Sequence, residues 1–237
     1  MAEHASTTPT MLQPAAAPRQ SPAGDAPVRL SGDVFGALIN LSGRRRFASQ
    51  RVVLYAVLGS LGHEGAIDTA QDTLCLLRDA HTTLVEGRGV LPGIFCTPLR
   101  EAYFGSMQGD KIIRDFISLA DATLLAIGDD ARGAPGLLDE LVRSATPLLS
   151  ILNALTLVYE EQSKRHAQAQ RRDLNAMMGK VKTIAKQARL VAFNAQIVAA
   201  RAGDSGKEFS VVAGSMSAIT AEIDDIVDAA LSGALAT

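Results

Sequence analysis

The sequence predicts an all-α protein, in which an antiparallel four-helix-bundle module is followed by a long helix and a short antiparallel coiled-coil hairpin. Three observations predict it. Only 4% of the 237 residues are aromatic and Trp is absent, while Ala and Leu are abundant, a composition that suits helix-on-helix packing better than sheets. Apolar residues recur through most of the chain at alternating spacings of three and four, the mark of a buried helical face. From Pro147 to Ala202 there is no further Pro and the only Gly is Gly179, so little there stops a helix.

The elements follow in order. Residues 1–29 are rich in Ala, Pro, Ser and Thr and lack the basic start and apolar core of a secretion signal, so they read as a disordered tail. Ser31 or Asp33 then caps a first helix that runs to about Leu61, before Gly62. A second helical pattern runs from about Gly65 to Glu86, with Ile67, Ala70, Leu74, Leu77 and Leu84 on one face, and Gly87-Arg88-Gly89 ends it. Residues 90–109 contain Pro92, Gly93, Pro98, Gly105 and Gly109, which makes them a long connection with a short helix at Leu99 to Phe104. Asp110 is the expected cap of a third helix ending at Gly128. The pattern resumes at Leu137, and Pro147 must kink it or mark a restart with Thr146 as cap. A single helix from there to Ala202 would extend roughly 80 Å at about 1.5 Å per residue. Its middle, Glu160 to Asp173, is nearly all charged or polar, as expected where a helix leaves one core before entering another. The boundary between a first module, 30–159, and a second, 160–237, is therefore placed there.

Composition excludes several function classes. The formal net charge of -2 creates no field that draws nucleic acid or an anionic membrane to the whole chain. Cys75 and Cys96 have no metal-ligand spacing, and His4, His63, His81 and His166 form no cluster with Cys or carboxylates, so neither metal nor cofactor is expected. No run reaches the roughly 18 to 20 uninterrupted apolar residues that cross a bilayer; Pro147 to Tyr159 is too short, carries Asn153 and Thr156, and reads as a buried core helix. No membrane insertion is expected, and the location is cytoplasmic. There is no nucleophile with a base, no phosphate loop and no paired carboxylates in a pocket-forming context, so the chain does not read as an enzyme. Glu160-Glu161-Gln162 and the basic residues Lys164, Arg165, His166, Arg171 and Arg172 read as solvated helix faces.

The stretch from Val181 to Ala213 organises the rest. Gly203, Asp204, Ser205 and Gly206 supply the turn chemistry that ends one helix and reverses the chain. Before the turn, Leu174, Met178, Val181, Ala185, Ala188, Ala192, Ala195, Ala199 and Ala202 alternate by three and four with mostly small residues. After it, Phe209, Val212, Met216, Ile219, Ile223, Ile226 and Ala230 do the same with larger ones, so the two seams are expected to face each other. The run Ile184, Ala185, Gln187, Leu190, Ala192, Asn194, Ala195, Ala199 to Gly203, Gly206, Phe209 and Val211 to Ala213 resembles the signalling tip of the methyl-accepting chemotaxis proteins, in unbroken register across the turn. That resemblance implies a tip that packs receptor dimers together and docks the chemotaxis histidine kinase and its coupling protein. It places Asn194 and Arg201 at the contact between dimers and Phe209, Val211 and Val212 near the docking surface. The chain departs from the family at Val198, where a Glu is usual, at Glu208, where a Gly is usual, and at Lys186, where a large apolar residue is usual.

A second informative stretch lies in the first helix. Ile39, Ser42, Arg46, Ser49, Val53 and Ala56 fall on one stripe, apolar at its ends and cationic in its middle. A buried Arg without an anion is costly, so a stripe of this kind facing another helix calls for something negative at Arg46, and a guanidinium fork suits a small planar anion. The pattern Gly43, Arg46, Ser49, Arg51 resembles the sensor module shared by nitrate/nitrite sensor kinases and type IV pilus chemotaxis transducers. That resemblance implies that Arg46, flanked by Ser42 and Ser49, grips nitrate or nitrite at a dimer interface. The expected protein is thus a homodimeric, cytoplasmic, chemoreceptor-like transducer that senses a small ligand. The alternative is a helical scaffold that senses nothing and contacts a partner outside chemotaxis.

Overall fold

The computed structural model describes residues 30–233. The tail expected at 1–29 and the last residues of the C-terminal arm, 234–237, lie outside the described residues. The described chain is almost entirely helical: α1 (Gly32–Ser60), α2 (Ala66–Glu86), α3 (Thr97–Phe104), α4 (Gly109–Gly128), α5 (Ala134–Arg201) and α6 (Lys207–Gly233). The only strands among the described residues, β1 (Gly87–Arg88) and β2 (Leu91–Pro92), pair antiparallel across a turn after α2. They occupy the connection for which the sequence predicts only irregular chain and the short helix.

Ser31 starts α1, its hydroxyl accepting from the Val34 N–H at 3.3 Å. Phe35, Leu38, Ser42, Arg45, Ser49, Val52 and Ala56 point inward at spacings of three and four. This stripe keeps Ser42, Ser49 and Ala56 of the expected one but takes Arg45 and Val52 instead of Arg46 and Val53. The chain reverses at Gly62 and Gly65, both at positive φ, where L side chains are strained. From α2, Ala70, Leu74, Leu77, Ala80 and Leu84 meet α1 in one apolar core that also takes Leu99 and Tyr103 of α3, Ile113, Phe116 and Leu124 of α4, and Leu141, Leu148, Leu152, Leu155 and Tyr159 of α5.

Two expectations need correction. Asp110 does not cap α4: the cap position is Gln108, at φ 50°, and Asp110 sits in the helix's first turn, where its carboxylate meets the positive end of the dipole and binds side chains. Of the two readings of Pro147, the restart with Thr146 as cap is excluded, because Pro147 lies inside the 68-residue α5. At about 1.5 Å per residue that is roughly 100 Å of continuous helix. It enters the first core through Leu141 to Tyr159 and, beyond the polar stretch 160–173, packs against α6 through Ala185, Ala192 and Ala199. By length and composition α5 is also apolar enough to cross a membrane, with an 18-residue window of mean hydropathy 1.5. Within it Leu148, Leu152, Leu155 and Tyr159 are buried in protein.

Candidate functional site

Two places carry chemistry beyond packing, the turn after α5 and a polar cluster inside the first core. At the turn, Ala202 closes α5 and Gly203, at φ 59°, begins a 3₁₀ turn through Gly206 that hands the chain to α6. Gly206 is needed for space: a Cβ there would come within 2.1 Å of the Ala199 carbonyl oxygen. Lys207 pairs with Asp204 at 2.7 Å across this turn, and further along Lys182 of α5 pairs with Asp228 of α6 at 2.5 Å, which raises the Lys182 pKa.

The side chains of α6 that close onto α5 are Ala213, Thr220 and Val227, seven residues apart, as are Ala185, Ala192 and Ala199 opposite them. On α5 the expected seam is in place through Ala185, Ala192 and Ala199, with Leu174 and Ala202 exposed at its ends, whereas on α6 only its Met216 and Ile223 are half-buried. Phe209, Val212, Ile219 and Ile226 are exposed, at 57%, 63%, 57% and 61%. The physical reason is that α6 is apolar on two adjacent faces, and the small one allows the closer approach to an alanine seam. Of the residues placed at the tip by resemblance, Asn194, Arg201, Phe209, Val211 and Val212 all lie exposed, on both sides of the turn.

Inside the first core the buried arginine is Arg45, not Arg46. Its guanidinium is fully buried over the Tyr103 ring, 5.7 Å from the ring centroid. Arg45 Nη2 donates to Ser42 Oγ at 3.1 Å; Ser42 Oγ lies 2.9 Å from Thr156 Oγ1, which donates to the Leu152 carbonyl at 2.8 Å. Because the Thr156 proton is committed to that carbonyl, Ser42 donates to Thr156, and the chain of donors runs one way from α1 into the backbone of α5. Arg45 Nη1 meets His81 Nδ1 at 3.2 Å, and His81 Nε2 lies 2.9 Å from Asp110 Oδ1. A guanidinium can only donate, so Nδ1 carries the lone pair and Nε2 the proton, directed at Asp110. Asp110 also accepts from Arg114 Nε at 2.9 and 3.0 Å.

The His81 pKa is lowered from 6.5 to about 4, chiefly by burial and next by the nearby Arg45 charge, with Asp110 opposing both. Tyr103 and Tyr159 share a hydroxyl hydrogen bond of 3.2 Å, and burial pushes Tyr159 well above its usual range, so it stays a neutral phenol. Arg45 thus has no carboxylate of its own, and its Nε–H has no partner. Ser42 and Ser49 are buried, Ser49 bonding the Arg46 carbonyl at 2.9 Å. Arg46 is half-buried and donates from Nη1 to Asn153 Oδ1 of α5 at 3.0 Å. The pattern of polar residues pointed to this region, but only packing shows that Arg45, His81, Thr156 and Asp110, from four helices, meet there. Among the described residues no group of three or more His, Cys, Asp or Glu is placed to hold a metal ion. Cys75 is exposed and Cys96 half-buried.

Residues 152–229 match the family model of the methyl-accepting chemotaxis protein signalling domain. No curated protein and no solved structure matches the chain. The matched stretch begins inside the first core, at Leu152, and runs down α5, around the Gly203–Gly206 turn and along α6. The methyl-accepting signalling domain belongs to a family of signal transducers, and the match over this part of the chain supports a chemoreceptor-like signal transducer.

Proposed function

We propose that the protein is a cytoplasmic, homodimeric chemoreceptor-like transducer. The module of residues 30–159, a bundle of four long helices, is the sensor. Residues 160–237 form the signalling hairpin, a short coiled coil with its tip at 203–206, and this tip docks the chemotaxis histidine kinase and its coupling protein or other chemoreceptors. The observation that carries the reading is the exposure of Asn194, Arg201, Phe209, Val211 and Val212 around the turn, within the stretch that matches the signalling domain. Large apolar side chains left in water next to a turn favour a partner that covers them. The heptad-spaced stripes Ile184, Val191, Val198 and Val212, Ile219, Ile226 are also exposed, which supports pairing of two copies into a bundle of four coils.

The test is binding of the purified chain to the chemotaxis kinase and coupling protein, compared with Phe209→Ser/Val212→Ser. Since both side chains are exposed, helicity should be unchanged while binding drops by ten-fold or more. A parent chain that binds neither protein refutes the reading and favours a scaffold with a partner outside chemotaxis, an alternative supported by the exposed Val198 where the family has a Glu.

For the sensor we propose a small planar anion, such as nitrate or nitrite, at the half-buried guanidinium of Arg46, with Ser42 and Ser49 shaping the helix behind it. What supports this is the bond of Arg46 to Asn153, one helical turn from the Ser42–Thr156 bond, so that an anion competing for the guanidinium would loosen a link between α1 and α5. A bias on α5 is transmitted along a continuous helix to the tip. Calorimetric titration with nitrate and nitrite should give heat with the parent and none with Arg46→Ala; equal heat from both removes the site.

A further inference from the structure

We infer that the outer face of α1 and α2 docks a second copy of this chain, with the Arg44 and Arg51 edge of α1 meeting the Asp68, Asp72 and Asp79 edge of the other copy's α2. This goes beyond the interface proposed for α5 and α6 and does not rest on it.

The face begins with a pattern that the monomer does not use. Phe47 and Leu54 of α1 and Leu61 at its C-terminal cap are spaced by seven and are 63%, 55% and 70% exposed, while Leu76 stands exposed on α2. Seven-residue spacing keeps a line of side chains against a supercoiled neighbour. The core of the chain is served by a different stripe, Leu38, Ser42, Arg45, Ser49, Val52 and Ala56, so the outer one adds nothing to the monomer's own packing. Phe47 and Leu76 at one groove, with Leu54 and Leu61 continuing the line of Phe47, exceed the scattered exposure that a surface shows as a matter of course.

The charges say what covers it. Between the two helices runs a groove of about 440 Å³ lined by Arg44, Phe47, Arg51, Asp72 and Leu76. Cations line its α1 edge. Exposed Asp68, Asp72 and Asp79 follow one another along α2 on the other edge. Among the described residues, none of these five charges forms an ion pair, although α2 and α4 are pinned elsewhere by Arg78 and Asp121. The Arg51 guanidinium lies over the rings of Tyr55 and Phe47, at 5.1 and 5.9 Å, and its Nε is buried with no hydrogen-bond partner. A buried N–H without an acceptor calls for one from outside the chain.

A face with cations on one helix and anions on its neighbour complements itself under a two-fold rotation, which lays each cation edge over the other copy's anion edge. An acidic helix or an anionic lipid surface would satisfy the arginines and repel the three aspartates. A second copy satisfies both edges.

The test uses the full chain in a Cys75→Ala/Cys96→Ala background, with a single cysteine introduced at Phe47, Leu54 or Leu61. Oxidation should yield a disulfide-linked dimer, or a short bismaleimide a thioether-linked one, from at least one of the three positions, and neither from Val142→Cys, which is exposed on α5 away from the groove. Two charge variants then isolate this face from any pairing elsewhere. Arg44→Glu/Arg51→Glu makes both edges acidic, and Asp68→Arg/Asp72→Arg/Asp79→Arg makes both basic. Each alone should cross-link at least ten-fold more slowly than the parent, and an equimolar mixture of the two should recover most of the parent rate as a mixed dimer. Arg44 and the three aspartates are exposed while Arg51 and Cys96 are half-buried, and unchanged circular dichroism verifies folding of each variant. Absence of cross-linking at all three positions overturns the proposal, as do parental rates from either charge variant alone or a mixture no faster than its components.

Discussion

Acidification should loosen the first core through His81, and the size of the effect follows from its surroundings. His81 is 2% exposed, accepts from Arg45 at Nδ1 and donates to Asp110 from Nε2. A second proton would remove the Arg45 acceptor and place an imidazolium against a buried guanidinium. The folded-state pKa is accordingly about 4 against 6.5 in a free chain. Since the unfolded chain binds more protons between these values, stability is full above about pH 6.5, falls as pH drops below it, and has lost the whole contribution near pH 4. The loss amounts to about 3 kcal/mol in total and about 2 kcal/mol by pH 5, because each tenfold change in proton affinity is worth about 1.4 kcal/mol. Urea denaturation from pH 8 to pH 4.5 reads it directly. Other groups titrate in the same range, so the parent is compared with His81→Asn, whose amide oxygen can accept from Arg45 without titrating. The difference between the two stability curves should slope between pH 6.5 and 4.5 and be flat above 7. Parallel curves, or a parent that gains stability on acidification relative to the variant, refute the reasoning.

Further outcomes are expected from the same geometry. Arg45→Met removes the neighbouring charge that helps hold His81 down, so the His81 titration followed by NMR should move toward 6.5; an unmoved midpoint contradicts the assigned contact. Ala192→Leu inserts a large side chain where α5 is fully buried against α6 and should cost about 1–3 kcal/mol of local stability, read as faster amide exchange along 207–233 with the first core unaffected. Gly206→Ala drives a Cβ against the Ala199 carbonyl and should likewise speed exchange in α6, whereas Gly214→Ala, with nothing closer than 3.8 Å, should not. Thr156→Val cuts the donor chain from Arg45 into α5 and leaves the Ser42 hydroxyl without its acceptor, a loss of about 1–3 kcal/mol in urea denaturation at pH 7.

Much of the fold was legible because helix formers, Gly turns and Ser31 act locally. Gly62, Gly87 and Gly203 mark reversals that only positive φ allows, and the ends of α1, α2 and α4 follow from such signals within a residue or two. Local signals also misled at two points. An Asp before an apolar run resembles a cap, yet Asp110 is occupied by His81 and Arg114, and a Pro inside a long pattern resembles a break, yet α5 tolerates Pro147. In each case a partner distant in sequence, or the packing of the surrounding helix, outweighed the local preference.

The sequence by itself determined the helical class, the turn at Gly203–Gly206, the alanine seam of α5 and the likeness to a chemoreceptor tip, because all of these are written in spacing along one chain. Only the tertiary structure decided which of two neighbouring arginines is buried and which of two apolar stripes on α6 closes onto α5. Residues at i and i+1 differ by about 100° on a helix, and a stripe one residue wide in sequence can turn either way. What selects Arg45 over Arg46 is His81 on α2, 36 residues away, and what selects Ala213, Thr220 and Val227 over Val212, Ile219 and Ile226 is how closely small side chains let two helices approach.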